Sequence, residues 1–190
     1  MNWSWSWILL LIGAGVAIGL LVLRETRAPE PDLRPARTGD PNKVAIQPID
    51  FDGLEREVKS HRGSVVLVDF WATWCGPCRK EFPKLVAMHE RYSERGLVVV
   101  SVSLEKDPET HRERALSFLK GQLATFPNFI WTDRTTRGQN GLEEKFGYPG
   151  GIPYGALFAR NGERVLPPDG QFFATLELLA AIEGELEKKH

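Results

Sequence analysis

At 190 residues the chain is long enough for one domain with a full hydrophobic core plus additional segments, and 26% charged residues suits a globular protein. A formal net charge of -1, with no long basic run, offers little to a phosphate backbone, so nucleic-acid binding is set aside. Two cysteines are too few for a disulfide framework.

The chain opens on a leader. From Trp3 to Leu23 there is no charged residue, and Ile8 to Leu23 is apolar apart from glycines, about the length that crosses the hydrocarbon core as a helix. Trp3, Trp5 and Trp7 stand at one end, where amphipathic rings favour the headgroup level. No Ala-x-Ala type site follows, and Arg24-Glu25-Thr26-Arg27 comes straight after. Residues 1–23 are therefore expected to stay as a membrane anchor, contacting lipid through residues 3–23, rather than to be a cleaved signal. Arg24, Arg27, Arg34 and Arg37 follow the span and no Lys or Arg precedes it, an asymmetry that on its own places the domain in the cytoplasm. Residues 24–43 carry Pro29, Pro31, Pro35 and Pro41 among charges and predict an extended linker. The folded domain is then residues 44–190.

Val44 to Phe51 predicts a first strand and Leu54 to Ser60 a short helix. Val65 to Trp71 is an apolar, β-branched run of strand length, broken only by Asp69. A helix from about Pro77 to Arg95 passes through Pro83, where the missing N–H predicts a kink, and stops at Gly96, a residue suited to a left-handed cap. Leu97 to Ser103 is the next buried strand. Asp107 as N-cap and Pro108 in the first turn start a helix to about Lys120, with Ala115, Phe118 and Leu119 inward. Phe129 to Trp131 predicts a short strand, and Leu142 to Phe146 a short helix ended by Gly147. Tyr154 to Ala159 and Glu163 to Leu166 form a hairpin around Asn161-Gly162. A last helix, Ala174 to Lys188, places Leu176, Leu179, Ile182 and Leu186 on one face. This order predicts an α/β sandwich, a central mixed sheet flanked by helices.

The chemistry concentrates at Cys75 and Cys78. They sit where a predicted strand gives way to a predicted helix, with Cys75 at or just before the first turn. Unpaired N–H groups and the positive end of the helix dipole stabilise a thiolate there. Cys75 is the better placed nucleophile, and Cys78, one turn later, resolves the mixed disulfide that Cys75 forms. The competing uses of such a pair are half of a zinc site and a structural disulfide. His61, His89, His111 and His190 show no ligand spacing, and a loop this short restrains the unfolded chain little. Asp69 is the other suspicious residue, because an ionised carboxylate in mid-strand loses its hydration.

Val68-Asp69-Phe70-Trp71-Ala72-x-Trp74-Cys75-Gly76-Pro77-Cys78 resembles the active-site segment of thioredoxin, and Cys78-Arg79-x-Glu81-x-Pro83 is similar to its TlpA/ResA/CcmG branch of membrane-tethered thiol-disulfide oxidoreductases. The resemblance runs from about Val44 to the end of the chain. It implies a thioredoxin-like sandwich that reduces protein disulfides through Cys75 and Cys78, with no cofactor beyond this redox-active pair. It gives Asp69 the task of taking a proton from Cys78. Ile152-Pro153, after Gly150-Gly151, resembles the cis-proline loop that packs beside the disulfide and pairs with substrate backbone. Trp74, Gly76, Pro77 and Ile152 are the substrate contacts it implies, while Trp71 is expected in the core. Tyr154 departs from the usual threonine and leaves the detail of substrate recognition open. Some relatives carry an acidic residue near Glu105 that tunes the cysteines, but a solvated loop glutamate is the expectation here. No lysine lies in Leu97 to Ser103 to partner Asp69.

The partners implied are protein disulfide substrates, with an apocytochrome c awaiting haem attachment as client, and a membrane thiol-disulfide electron donor. The resemblance also places the domain on the extracytoplasmic, periplasmic or cell-surface side, against the arginine pattern, and that side is taken. Two other classes share the fold: a thiol peroxidase, which needs one peroxidatic cysteine in a Thr/Arg setting, and a non-catalytic tethered binding module.

Overall fold

The computed structural model describes residues 32–166 and 176–188; the expected anchor lies outside them. Among the described residues no helix is long and apolar enough to cross a membrane. The elements in chain order are β1 (Gln47–Ile49), α1 (Phe51–Ser60), β2 (Val65–Trp71), α2 (Gly76–Tyr92), β3 (Leu97–Ser103), α3 (Pro108–Gln122), β4 (Asn128–Trp131), α4 (Thr136–Phe146), β5 (Tyr154–Phe158), β6 (Arg164–Leu166) and α5 (Leu176–Glu187).

Six strands form one sheet in the order β1-β4-β3-β2-β5-β6. The first four are mutually parallel, whereas β5 runs antiparallel to β2 and β6 antiparallel to β5. β2 and β3, seven residues each, pair along their whole length from Val65↔Leu97 to Trp71↔Ser103. They read as nearly continuous apolar runs because helices cover both faces of the sheet. On β2 the alternation is clean. Val65, Leu67 and Trp71 join a cluster with Cys78 and Phe82 of α2, Leu119 of α3 and Ile182 of α5. Val66, Val68 and Phe70 join a second cluster with Leu54 of α1 and Phe146 of α4. Trp71 is fully buried, with the rings of Phe82 and Phe118 each 4.9 Å away.

Several element ends differ from the sequence reading. The first strand is only Gln47–Ile49, because Asp50 caps α1, its Oδ1 accepting Gly53 N–H at 2.7 Å, and draws Phe51 into the helix. Continuous helix ends at Tyr92; a 3-10 turn, Ser93–Arg95, leads to Gly96, whose φ of 100° supplies the expected left-handed cap. α2 continues through Pro83. Asp107 caps α3 as expected, accepting from the N–H groups of Glu109 and Thr110. α4 begins at Thr136, well before the expected Leu142, because the Thr135 hydroxyl accepts Gly138 N–H at 3.0 Å and starts the helix there.

The chain ahead of the first strand is anchored to the domain. Leu33 packs against the first cluster, Ala36 N–H donates to Glu90 Oε2 at 2.6 Å, and Arg37 reaches Gly121 O at 3.4 Å.

Candidate active site

β2 ends at Trp71 and α2 begins at Gly76, so Ala72–Cys75 form the turn from a doubly buried strand to a helix N-terminus. Leu104 N–H donates to Trp71 O at 2.7 Å and Cys75 N–H to Ala72 O at 3.1 Å. Cys75, in extended backbone, is the N-cap of α2, and its Sγ accepts Cys78 N–H at 3.2 Å. Negative charge on that sulfur meets both a donor and the positive end of the helix. A disulfide joins Cys75 to Cys78, with Cα atoms 5.3 Å apart. Both cysteines are buried, Cys75 at 5% exposure and Cys78 at 2%. Gly76 and Pro77 are exposed on the first turn, where proline gives up no helical hydrogen bond. Trp74 is 52% exposed, with Lys106 Nζ 5.9 Å from its ring centroid.

Asp69 has the parity of Leu67 and Trp71, which turns it towards the sheet face that carries α2 and Cys78. It is 4% exposed, opposite Gly155 on β5 and Ser101 on β3. Burial pushes its carboxyl up to about 8. The missing lysine noted in β3 is consistent with this single cause.

The Ile152–Pro153 bond is cis. Tyr154 pairs with Phe70, so Pro153 enters β5 at the end of β2 from which the cysteine turn departs. Ile152 packs against the cluster that holds both cysteines. Tyr154 does not share that face: it is fully buried in the second cluster, its ring 6.0 Å from Phe70, its hydroxyl donating to Phe146 O at 2.7 Å. The departure from threonine therefore fills core on the opposite side of the sheet.

Trp74 and Ile152, both expected substrate contacts, line one groove of about 780 Å³, together with Leu104, Trp131, Arg134 and Tyr148. Sequence reasoning missed the last four. Trp131 closes a short predicted strand like any core residue, and Leu104, Arg134 and Tyr148 lie in stretches without any motif.

Glu105 corrects an expectation. It is not a solvated loop residue but fully buried, accepting Thr73 N–H at 2.7 Å, Thr73 Oγ1–H at 3.1 Å and Ser103 Oγ–H at 2.9 Å. Arg134 Nη2 donates to its main-chain carbonyl and to that of Lys106.

ResA, a thiol-disulfide oxidoreductase of Bacillus subtilis, is 33% identical over 86 residues, 45% of each chain. ResA of Geobacillus thermodenitrificans is 30% identical over 114 residues, 60% of this chain and 59% of the relative. The chain thus spans less than two thirds of the length of these curated relatives. Among solved structures, a Chlorobium tepidum protein described as a thiol:disulfide interchange protein, DsbE, superposes with a TM-score of 0.53 at 30% identity, over 68% of this chain and 84% of that one. The fold is thioredoxin-like. Residues 40–144, more than half of the chain, match the AhpC/TSA family, and the chain belongs to that family.

Proposed function

We propose that this protein is a thiol-disulfide oxidoreductase that reduces protein disulfides through Cys75 and Cys78. The observation that carries the reading is the cysteine turn itself: one sulfur capping a helix N-terminus, a second one turn later, and a buried carboxyl on the same face of the sheet. In the reduced enzyme the Cys75 thiolate attacks one sulfur of the substrate disulfide. A mixed disulfide forms and the other substrate sulfur leaves as thiolate. Asp69 then takes the Cys78 proton, directly or through water, and the Cys78 thiolate attacks Cys75 Sγ. The Cys75–Cys78 disulfide closes, the second substrate thiolate leaves, and two electrons have passed to the substrate. Trp74, Gly76, Pro77 and Ile152 supply the contact surface, Pro153 holds the loop that faces the substrate backbone, and the groove beside Trp74 receives residues flanking the substrate cysteine.

The similarity to ResA and DsbE supports the same class of work. We extend it to residues 1–23 as a membrane anchor, the part of the expected 24–43 linker that precedes Leu33 as tether, an extracytoplasmic domain, a membrane dithiol donor that returns the pair to the reduced state, and an apocytochrome c as client.

The test is an equilibrium redox titration of the protein against a dithiol couple, followed by Trp74 fluorescence, alongside insulin reduction. A midpoint of roughly −200 to −280 mV with insulin turnover is the expected result. A value near roughly −120 mV would make the protein an oxidant, and peroxide consumption by Cys75 without insulin turnover would favour a thiol peroxidase. Partner capture that survives Cys75→Ser, with no redox transition, would leave a binding module.

A further inference from the structure

A carboxylate in a loop ordinarily faces water, and burying one is unfavourable unless donors surround it. Glu105 lies in the loop after β3 and is fully buried, with donors converging on both of its oxygens. Two of them come from one residue: Thr73 gives its main-chain N–H at 2.7 Å and its hydroxyl at 3.1 Å, and Ser103 adds a third at 2.9 Å. Thr73 stands two residues before Cys75. The turn it belongs to is otherwise tied down by the main-chain bonds of Leu104 to Trp71 and of Cys75 to Ala72. Arg134 pins the other side of Glu105, donating to its carbonyl oxygen.

We propose that Glu105 is a positioning residue of the redox site: by gripping Thr73 through both N–H and hydroxyl, it holds the Ala72–Cys75 turn where Cys75 Sγ caps α2. The role is geometric. It requires two acceptors or an acceptor and a matching donor at one spot, not a charge. A glutamine meets that requirement, since its oxygen accepts Thr73 N–H and its amide donates to the Thr73 hydroxyl. Misplacement of the turn would slow the exchange at sulfur more than it weakens binding, because reactivity depends steeply on the alignment of attacking and leaving atoms, whereas the groove takes only Trp74 from this turn and the rest of its lining from elsewhere.

The proposal rests on the oxidoreductase reading, and its test separates the two. Steady-state reduction of a protein disulfide by the full-length chain is compared for wild type, Glu105→Gln, Glu105→Ala and Thr73→Val. Glu105→Gln is expected within about threefold of wild type with an unmoved pH profile of Cys75 alkylation, and Glu105→Ala to lose about tenfold in kcat at a KM within about twofold. Thr73→Val, which removes the hydroxyl contact alone, is expected to lose about threefold in kcat and serves where Glu105→Ala fails to fold. If Glu105→Gln is as damaging as Glu105→Ala, charge rather than position matters and the proposal falls. It falls equally if Glu105→Ala or Thr73→Val lowers the melting temperature while kcat is unchanged. A wild type that reduces no disulfide would instead overturn the oxidoreductase reading.

Discussion

In the proposed mechanism Asp69 is the residue at which stability and chemistry meet. Its carboxyl ionises near 3.9 in an unfolded chain and is pushed up to about 8 in the fold by burial. Between those pH values the folded chain keeps a proton that the unfolded chain has lost. Stability therefore falls as pH rises across the window, by up to about 4 kcal/mol at pH 7. Asp69→Asn removes that dependence. The variant's urea midpoint should exceed wild type at pH 7 and match it at pH 4, and equal midpoints at both would mean the carboxyl is not held protonated. The same change should slow disulfide exchange by about 10²-fold or more, the scale of a lost general base. In wild type the rate of closing the Cys75–Cys78 disulfide should rise with pH through about 8. In Asp69→Asn, stopped-flow tryptophan fluorescence should find that limb missing.

At the scale of elements, α4 carries the clearest lesson. Gly138 and Gly141 break the apolar period, and only Leu142 to Phe146 stood out as helix, yet the structure extends it back to Thr136. Gly141 is present because the helix lies against the Phe51 ring of α1: a Cβ there would come 2.6 Å from Cδ2 and 2.7 Å from Cζ. Alanine would raise helix propensity by about 1 kcal/mol, but overpacking against a ring costs about 1–3 kcal/mol. The steric term outweighs the gain, and Gly141→Ala should lower the unfolding free energy by up to about 2 kcal/mol in urea titration. A more stable variant would mean that Phe51 can move aside. β5 teaches the complementary point: Tyr154 sits next to the cis-proline in sequence, but strand alternation sends its side chain into the opposite core.

For the whole molecule, topology assembles the site. β2 and β3 are parallel neighbours, so the loops that leave their C-terminal ends, one with Cys75 and one with Glu105, open at the same edge of the sheet. Because β5 is antiparallel to β2, its start, with Pro153, falls at that edge too. The segment before β1 is also part of this unit. Removing residues 33–43 strips the contact of Leu33 and the bond from Ala36 to Glu90. A chain starting at Val44 should be less stable than one starting at Leu33 by about 2 kcal/mol, read from urea midpoints. Equal stability would show that this segment adds nothing to the fold.

The sequence by itself determined what depends on short-range pattern. The β-branched runs named β2 and β3, Asp107-Pro108 named the start of α3, and Cys75-Gly76-Pro77-Cys78 between strand and helix named the pair that the disulfide joins, because strand alternation, capping and helix-terminus geometry all act within a few residues. Tertiary structure alone decided what depends on neighbours distant in the chain. Glu105 looked like any loop glutamate until Thr73, Ser103 and Arg134 were seen around it. The groove beside Trp74 draws Trp131, Arg134 and Tyr148 from segments without motif. Burial, and with it the rise of Asp69 to about 8, is a property of packing on both faces of a sheet, which no local stretch of residues contains.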